Sequence, residues 1–270
     1  MNDYTISDAQ LAQFEADGYL ILPDWFDTEE VELLRNIAHG DAHLAAEAWE
    51  RHDAKGATTR LSLRNGLSED EIYSAIVRSQ RIVVPTSQML GGEVYHYHHK
   101  MTMKEPYKGG AWEWHQDYGY WYNNGCLFPY MASCMIAVDR ATQENGCLQV
   151  IRGSHHMGRV QHGVTGDQTG ADMERVEQAL KQMELVYCEM EPGTALFFHC
   201  NTLHRSDANN SPHTRHALIC CYNAARNDPY KKGGHPNYTP LEILPDEKVK
   251  EIGRKQWAEI EAELLAGSAR

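Results

Sequence analysis

The sequence has few basic residues for its length. It contains 25 Lys and Arg against 38 Asp and Glu, which gives a formal net charge of −13 at pH 7. Nucleic acids and anionic membrane surfaces attract proteins through basic patches. The charge balance therefore argues against both as partners of this protein.

Long hydrophobic runs and cysteine motifs are also lacking. No stretch approaches the ~20 apolar residues that cross a bilayer, and the N-terminus, MNDYTISDAQ, has neither the basic start nor the apolar run of a signal peptide. The seven Cys are an odd number, and no two of them form a C-x-x-C. Such cysteines are typical of reduced thiols in an intracellular protein. We therefore expect a cytoplasmic protein with no membrane partner.

The first part of the chain has the pattern of a helical layer, which we assign to residues 1–70. Ser7 opens a possible capping box, and Asp27 precedes a long segment with apolar residues at helical spacing. Between these two helices, YLILP reads as a short strand. The polar segment 51–70 is predicted to be a loop.

The period of the hydrophobic pattern changes at about residue 72. From 72 to 225, short runs rich in Val, Ile, Tyr, Phe and Cys, beginning with IYSAIV and RIVVP, predict the strands of a β-core. Residues 245–266 predict a C-terminal amphipathic helix. The fold class is therefore mainly β with flanking helices, and 270 residues are enough for one such domain.

The stretch WEWHQDYGYW, residues 112–121, contains an H-x-D motif among many aromatic residues. On a strand, residues two apart face the same side, so His115 and Asp117 could reach one metal ion together. A second His from a distant strand would complete a 2-His-1-carboxylate triad, which holds non-haem Fe(II) and leaves coordination positions open. H-x-D alone is a weak signal and needs support from the rest of the chain.

That support lies downstream, in HCNTLHRSDANNSPHTRHALICCY. His204 follows the apolar strand ALFF after a short turn, and Arg215 begins the next strand eleven residues later. A guanidinium that faces the inside of a barrel is costly unless it meets an anion, preferably in a bidentate pair. A dicarboxylate co-substrate would supply that anion.

The order of these motifs resembles the phytanoyl-CoA dioxygenase family of Fe(II)/2-oxoglutarate oxygenases. The resemblance covers nearly the whole chain, through FEADGYLILPDWFDTEEVELLR, WHQD, ENGCLQVIRGSHH and LHRSDANNSPHTRHAL. It implies a single oxygenase domain over 1–270 with a double-stranded β-helix, the cupin-like jelly roll. It also implies Fe(II) as cofactor, with 2-oxoglutarate and O₂ as co-substrates.

Carried onto this sequence, the resemblance assigns the site residues. His115, Asp117 and His204 would be the iron ligands. Residues expected to contact 2-oxoglutarate come from the strands around the iron motif and from the end of the core: Arg215, Ser206, Thr102, Lys100, Lys104 and Ser133.

Within the family, WEWHQDYGYWYNNG is nearest to ectoine hydroxylase-like members, with Gln116 where those have Ser, and aminophosphonate hydroxylase-like members also fit. Aromatic faces favour a cation, so the substrate is predicted to be a small cationic or zwitterionic amine or an aminophosphonate. Related halogenases lack the carboxylate that Asp117 supplies, which favours hydroxylation. His96 and His98, on one face of the strand YHYHHK, are predicted to line the substrate pocket with four aromatic residues: Trp112, Tyr118, Tyr120 and Trp121.

Two other classes stay open at this point. One is a metal-dependent cupin-type lyase or isomerase that needs no 2-oxoglutarate, in which Arg215 would bind the anion of the substrate itself. The other is a catalytically silent member that binds a metabolite or a protein. The oligomeric state is open as well, and both a monomer and a homodimer fit the sequence.

Overall fold

The computed structural model describes residues 4–165 and 168–268. Its α-helices, in chain order, are α1 (Asp8–Asp17), α2 (Thr28–Gly40), α3 (Ala42–Glu47), α4 (Ile72–Val77), α5 (Gln80–Leu90), α6 (Asp117–Trp121), α7 (Met173–Gln182) and α8 (Asp246–Ser268). Short 3₁₀ helices lie at Ser154–Met157 and Ala225–Asn227. No helix in these ranges is both long enough and apolar enough to span a membrane.

The strands run from near the N-terminus to residue 224. They are β1 (Tyr19–Leu22), β2 (Trp49–His52), β3 (Thr58–Arg64), β4 (Val94–Lys104), β5 (Trp112–His115), β6 (Met131–Ala137), β7 (Leu148–Ile151), β8 (His162–Thr165), β9 (Gln168–Ala171), β10 (Leu185–Cys188), β11 (Ala195–His199), β12 (His204–Ser206) and β13 (Arg215–Ala224).

Two antiparallel sheets form the centre of the molecule. The large sheet has the order β1-β11-β6-β13-β4-β3-β2, and the small sheet has the order β10-β7-β12-β5. β8 and β9 form a separate hairpin. Two facing antiparallel sheets with long crossovers between them make a jelly roll, which confirms the predicted double-stranded β-helix.

The large sheet is buried on both faces. On β13, Leu218 and Cys220 belong to the core between this sheet and the helices, together with Ile37 of α2. Ile219, between them in sequence, belongs to the core between the two sheets, together with Val150 of β7. The alternation follows from the two-residue period of a strand, and it aims every second residue of β13 and β4 at the space where the two sheets meet.

The helix ends follow the predicted capping chemistry. Ser7 and Asp27 each form a complete capping box, with Gln10 and with Glu30. The segment after Asp27 is not one long helix, because Asp41 ends α2 and its side chain caps α3. The C-terminal helix is present as predicted, as α8.

The prediction that IYSAIV and RIVVP form strands is wrong, since they lie in helices α4 and α5. Every residue of α4 is buried, and a short apolar run buried on all sides carries no period that separates a strand from a helix. Pro85 lies inside α5. It cannot donate to the carbonyl of Arg81, and that oxygen accepts a hydrogen bond of 2.7 Å from Trp25 Nε1 instead.

The helical layer assigned to residues 1–70 also contributes strands. YLIL forms β1, as predicted, whereas β2 and β3 occupy part of the segment that was expected to be a loop. β2 is the edge of the large sheet and is mostly exposed, so its sequence lacks an apolar face. These two strands matter for function because they extend the wall of the cavity described below.

A buried carboxylate joins the helical layer to the large sheet. Asp139 Oδ1 accepts from His39 Nε2 of α2 at 2.9 Å and from Arg35 at 3.2 Å. Asp139 Oδ2 lies 3.0 Å from His216 Nδ1 on β13. These hydrogen bonds and ion pairs hold the pKa of Asp139 well below its usual range, against the effect of its burial.

Candidate active site

Two histidines meet where β5 and β12 pair in the small sheet. His115 is the last residue of β5 and His204 the first of β12, and the two are direct partners in the antiparallel register. Their ring centroids are 4.0 Å apart, and both side chains are buried. Strand pairing alone therefore brings together two imidazoles that are 89 residues apart in sequence.

Both imidazoles are held in the same orientation. Each Nδ1 lies 2.8 Å from the carbonyl oxygen of the residue two positions earlier, Glu113 for His115 and Thr202 for His204. A carbonyl can only accept, so Nδ1 donates and Nε2 keeps its lone pair. A hydrogen bond of this kind from the second ring nitrogen fixes the tautomer of metal-binding histidines.

Asp117 completes a three-residue cluster. Its Oδ1 lies 3.9 Å from His115 Nε2 and 4.0 Å from His204 Nε2, which leaves room for an ion at about 2 Å from each ligand atom. All three ligand atoms lie within 4.8 Å of one another. Two nitrogens and one carboxylate oxygen on one side of an ion form the donor set that suits non-haem iron.

Burial keeps the two imidazoles neutral. Desolvation, followed by the repulsion of His204, holds the pKa of His115 well below its usual value. The pKa of His204 is also lowered by burial, although Asp117 partly opposes this effect. Neutral imidazoles can bind a metal without first losing a proton.

The prediction that His115 and Asp117 lie on one strand is wrong. β5 ends at His115, and Asp117 is the first residue of α6, so a turn rather than a strand aims the carboxylate. Gln116 fixes this turn: its Nε2 donates to Gly158 O at 2.8 Å and Asn201 O at 2.7 Å, and its Oε1 accepts from Val160 N. No role is predicted for Gln116 from the sequence, and its position between His115 and Asp117 is the available signal.

Ser133 contacts the carboxylate itself. It lies on β6, and its Oγ donates a 2.9 Å hydrogen bond to Asp117 Oδ2, which leaves Oδ1 facing the histidines. It is absent from the lining of the cavity that leads to Arg215. The structure thus favours a positioning role for Ser133 rather than the predicted contact with 2-oxoglutarate.

Ser133→Ala should leave the three ligand side chains in place but release the rotation of the Asp117 carboxylate. We expect iron affinity to fall about 10-fold, within the range found when outer-shell partners of metal ligands are removed. Anaerobic titration with Fe(II) measures this change, and Ser133→Thr, which keeps the hydroxyl, is the matched variant. Equal iron affinities for Ser133→Ala and the parent protein would contradict the role.

An inner cavity leads from the three-residue cluster to Arg215. Arg215 is buried, and its Nη2 donates to Gly146 O at 2.8 Å, while its Nε has no hydrogen-bond partner within the described chain. Burial lowers the pKa of Arg215 to about 10. Lys104 is buried beside it, and its pKa is held well below the usual value by desolvation and by Arg215. Neither Arg215 nor Lys104 forms an ion pair with a residue of the described chain, so these two buried basic groups form a site for an anion.

The other predicted co-substrate residues line the same cavity. Ser206 follows His204 on β12, and Thr102 lies on β4, where its Oγ1 donates to Ala217 O at 3.2 Å. Lys104 Nζ donates to the carbonyls of Gly110 and Asp207. Lys100 lines this cavity at its iron end. The structure therefore brings five of the six predicted residues to one cavity.

An outer cavity of about 310 Å³ opens on the other side of the cluster. It shares Lys100, His115 and Asp117 with the inner one. Its walls combine the rings of several Trp and Tyr residues with numerous polar and charged side chains, and a cavity of this size can hold a small metabolite. Of the six residues predicted to contact substrate, four line it: His98, Trp112, Tyr120 and Trp121.

The other two residues predicted to contact substrate, Tyr118 and His96, do not line the outer cavity. Tyr118 is in the core between the sheets, and its hydroxyl donates to Cys126 O at 3.0 Å. The prediction that His96 and His98 share a face is wrong, because the pairing of β4 with β13 shifts by one residue at Tyr97. His98 consequently faces the cavity, whereas His96 points to the helical side and pairs with His99 at 3.0 Å.

Several cavity residues come from segments that the sequence analysis left without a function. Arg51 and Trp49 lie on the edge strand β2, Asn124 follows α6, and Gln168 opens β9. Gln168 links three segments, because its side chain bonds to Glu113 N, Ala111 O and His52 O. No local sequence signal marks these residues, since their meeting depends on how the sheets close.

Two imidazoles and one carboxylate at the junction of two cavities in a jelly roll form the arrangement typical of non-haem Fe(II) oxygenases. Residues 14–217 match the model of the family described as "Phytanoyl-CoA dioxygenase (PhyH)". The chain belongs to the phytanoyl-CoA dioxygenase family.

Individual relatives agree with this assignment. An L-proline trans-4-hydroxylase from Streptomyces griseoviridis is 30% identical over 87% of this chain and 91% of its own length. An ectoine dioxygenase from Sphingopyxis alaskensis is 28% identical over 84% of this chain and 78% of its own length. The crystal structure of EctD from S. alaskensis with bound Fe has the same fold, with a TM-score of 0.75, 24% identity, and coverage of 91% and 89% of the two chains.

These similarities confirm the predicted enzyme class and cofactors. The protein is an Fe(II)/2-oxoglutarate-dependent oxygenase, which uses Fe(II), 2-oxoglutarate and O₂ and acts on a small molecule. The cytoplasmic location and the oligomeric state stay predictions.

Proposed function

We propose that His115, Asp117 and His204 bind Fe(II), and that 2-oxoglutarate extends from the iron along the inner cavity to Arg215. The observation that carries this proposal is the arrangement of groups at the two ends of the inner cavity. A cluster of two neutral imidazoles and one carboxylate lies at one end of a buried cavity, and a guanidinium with no ion-pair partner among the described residues lies at the other. A dicarboxylate with a keto acid at one end fits between them.

In such an enzyme, bound iron supplies the oxidative decarboxylation of 2-oxoglutarate to succinate and CO₂, coupled to hydroxylation of a C–H bond. The chain contributes the remaining conditions. Arg215, Ser206 and Thr102 orient the co-substrate, and Lys104 lies beside Arg215 where the distal carboxylate would bind. Burial of the cluster excludes bulk water, which limits side reactions.

We propose that the substrate is a small zwitterion, such as a cyclic amino acid or a related osmolyte. Proline and ectoine, which appear in the names of the two relatives above, are small cyclic zwitterions. The outer cavity, of about 310 Å³, is large enough for molecules of this size. Trp112, Tyr120 and Trp121 offer aromatic faces to an ammonium group, and His98, whose pKa burial lowers to about 3, offers a neutral ring.

The first experiment is anaerobic. Fe(II) and then 2-oxoglutarate are added to the protein, and the visible charge-transfer band of an iron-chelated keto acid is recorded. We expect the band to appear, and to shift when L-proline or ectoine is added. Succinate formation in air then measures turnover with each compound. Bound iron without the band would contradict the proposal and favour a cupin-type lyase or isomerase.

A further inference from the structure

Lys100 occupies an unusual position between the two cavities. It lies on β4, on the face that points between the sheets, where it pairs with Ile219 of β13 and Leu63 of β3. It lines both the inner and the outer cavity, directly beside His115 and Asp117. A charge at this point faces both the co-substrate and the organic substrate.

The ammonium group of Lys100 has no hydrogen bond or ion pair with any residue in the described ranges. By contrast, Lys104 on the same face of β4 donates to two carbonyls. Among the described residues, Asp117 is the one carboxylate that lines either cavity, and its two oxygens face Ser133 and the histidines. A half-buried cation in such surroundings calls for an anion from a ligand.

A second cation belongs to the outer cavity. Arg51 lies on β2 with its guanidinium 4.5 Å from the ring centroid of Trp49, and it is close enough to Tyr120 to lower the pKa of that hydroxyl, against the larger effect of burial. Lys100, which has no partner within the described chain, is the basic group that favours a negatively charged ligand group in the outer cavity. This differs from the sequence-based expectation that the aromatic faces favour a cation.

We propose that Lys100 pairs with a carboxylate of the organic substrate, and that this chain therefore selects carboxylic acids over the corresponding amides and amines. The inference rests on the proposed function, because it assumes that the outer cavity is the substrate site. It narrows the substrate class from small zwitterions to those with a free carboxylate.

The position of Lys100 along β4 separates it from the distal end of 2-oxoglutarate. Lys104, which lies beside Arg215, is four residues further along the same strand, about 13 Å away at the usual rise per residue. Arg215 and Lys104 already provide positive charge for the distal carboxylate. Lys100 is thus placed for a group at the iron or in the outer cavity.

The test compares acids with their amides. The probes are the common L-amino acids, L-proline included, together with ectoine, and the carboxamide of each amino acid. Succinate formation above the level without organic substrate reports a productive ligand. We expect stimulation by one or more acids and none by the matching amide. For the best acid, Lys100→Met should raise KM about 10- to 100-fold, as expected for loss of a charge-assisted hydrogen bond, and leave KM for 2-oxoglutarate unchanged.

Lys104→Met is the matched variant, since it removes the same charge from the same face of the same strand. It should raise KM for 2-oxoglutarate and leave KM for the acid unchanged, and Lys100→Arg should restore part of the preference for acids. Three results would overturn the inference: an amide as effective as its acid, a Lys100→Met variant impaired in 2-oxoglutarate binding instead, or no stimulation by any acid. Slow succinate formation without organic substrate tests the proposed function itself. Its absence would contradict the proposed function, whereas its presence together with one of the three results above would contradict only the role of Lys100.

Discussion

Asp117→Ala should abolish both iron binding and the consumption of 2-oxoglutarate. The variant removes the one carboxylate of the proposed ligand set and leaves two neutral imidazoles, which hold Fe(II) weakly. We expect turnover to fall by more than about 100-fold, because changes outside the ligand set alone cost 10- to 100-fold. Iron content after anaerobic loading and succinate formation in air measure the two losses.

The chain offers a matched control for this variant. Asp139 is also a buried carboxylate between two histidines, His39 and His216, but it lies on the helical side of the large sheet and its oxygens accept hydrogen bonds from both. Asp139→Asn should lower the free energy of unfolding by about 1–3 kcal/mol and keep iron binding and turnover. If Asp117→Ala retained succinate formation, the proposed ligand set would be wrong.

Arg215→Met should have the second-largest effect. It should weaken the binding of 2-oxoglutarate rather than the binding of iron. Removing one partner of a buried charge pair costs about 2–5 kcal/mol, so we expect KM for 2-oxoglutarate to rise about 100-fold or more. The kcat at saturating co-substrate should change much less, because Arg215 lies at the far end of the inner cavity from the iron cluster. Initial rates of succinate formation against 2-oxoglutarate concentration separate the two constants.

The same variant should stabilise the protein in the absence of 2-oxoglutarate. Arg215 is buried with an unpartnered Nε, and replacing an uncompensated buried charge with an apolar side chain of similar size is favourable. Arg78 is the control, because it is equally buried but paired with Glu69 and Glu242 at 3.3 and 3.4 Å. Arg78→Met should lower the melting temperature and leave KM for 2-oxoglutarate unchanged. A lower melting temperature for ligand-free Arg215→Met would count against an anion site.

The active-site residues that could be predicted from the sequence are those whose side-chain chemistry is unusual for their place in the pattern. A buried Arg at the start of a strand needs an anion, and an H-x-D with a later His offers the ligands of iron, so Arg215 and His115 could be singled out without a structure. Arg51 and Gln168 carry no such signal. They are ordinary polar residues in a polar edge strand and in a short hairpin, and they reach the cavity because of how those segments fold onto the sheets.

Local conformation was predicted where a local interaction decides it. The capping boxes at Ser7 and Asp27 start their helices through contacts within three residues. IYSAIV has no comparable signal. Its six residues are all buried, and whether an apolar run of that length becomes helix or strand depends on the surfaces that cover it.

The sequence by itself therefore determined the candidate chemistry: the types of the possible metal-binding residues, the Arg215 guanidinium, the order of the motifs and the mainly β fold. The tertiary structure decided the direction of each side chain. A one-residue shift at Tyr97 turns His96 away from the cavity that His98 faces, and a turn held by Gln116 aims Asp117. Directions of this kind depend on strand register and loop closure, which are set by contacts between residues far apart in the chain.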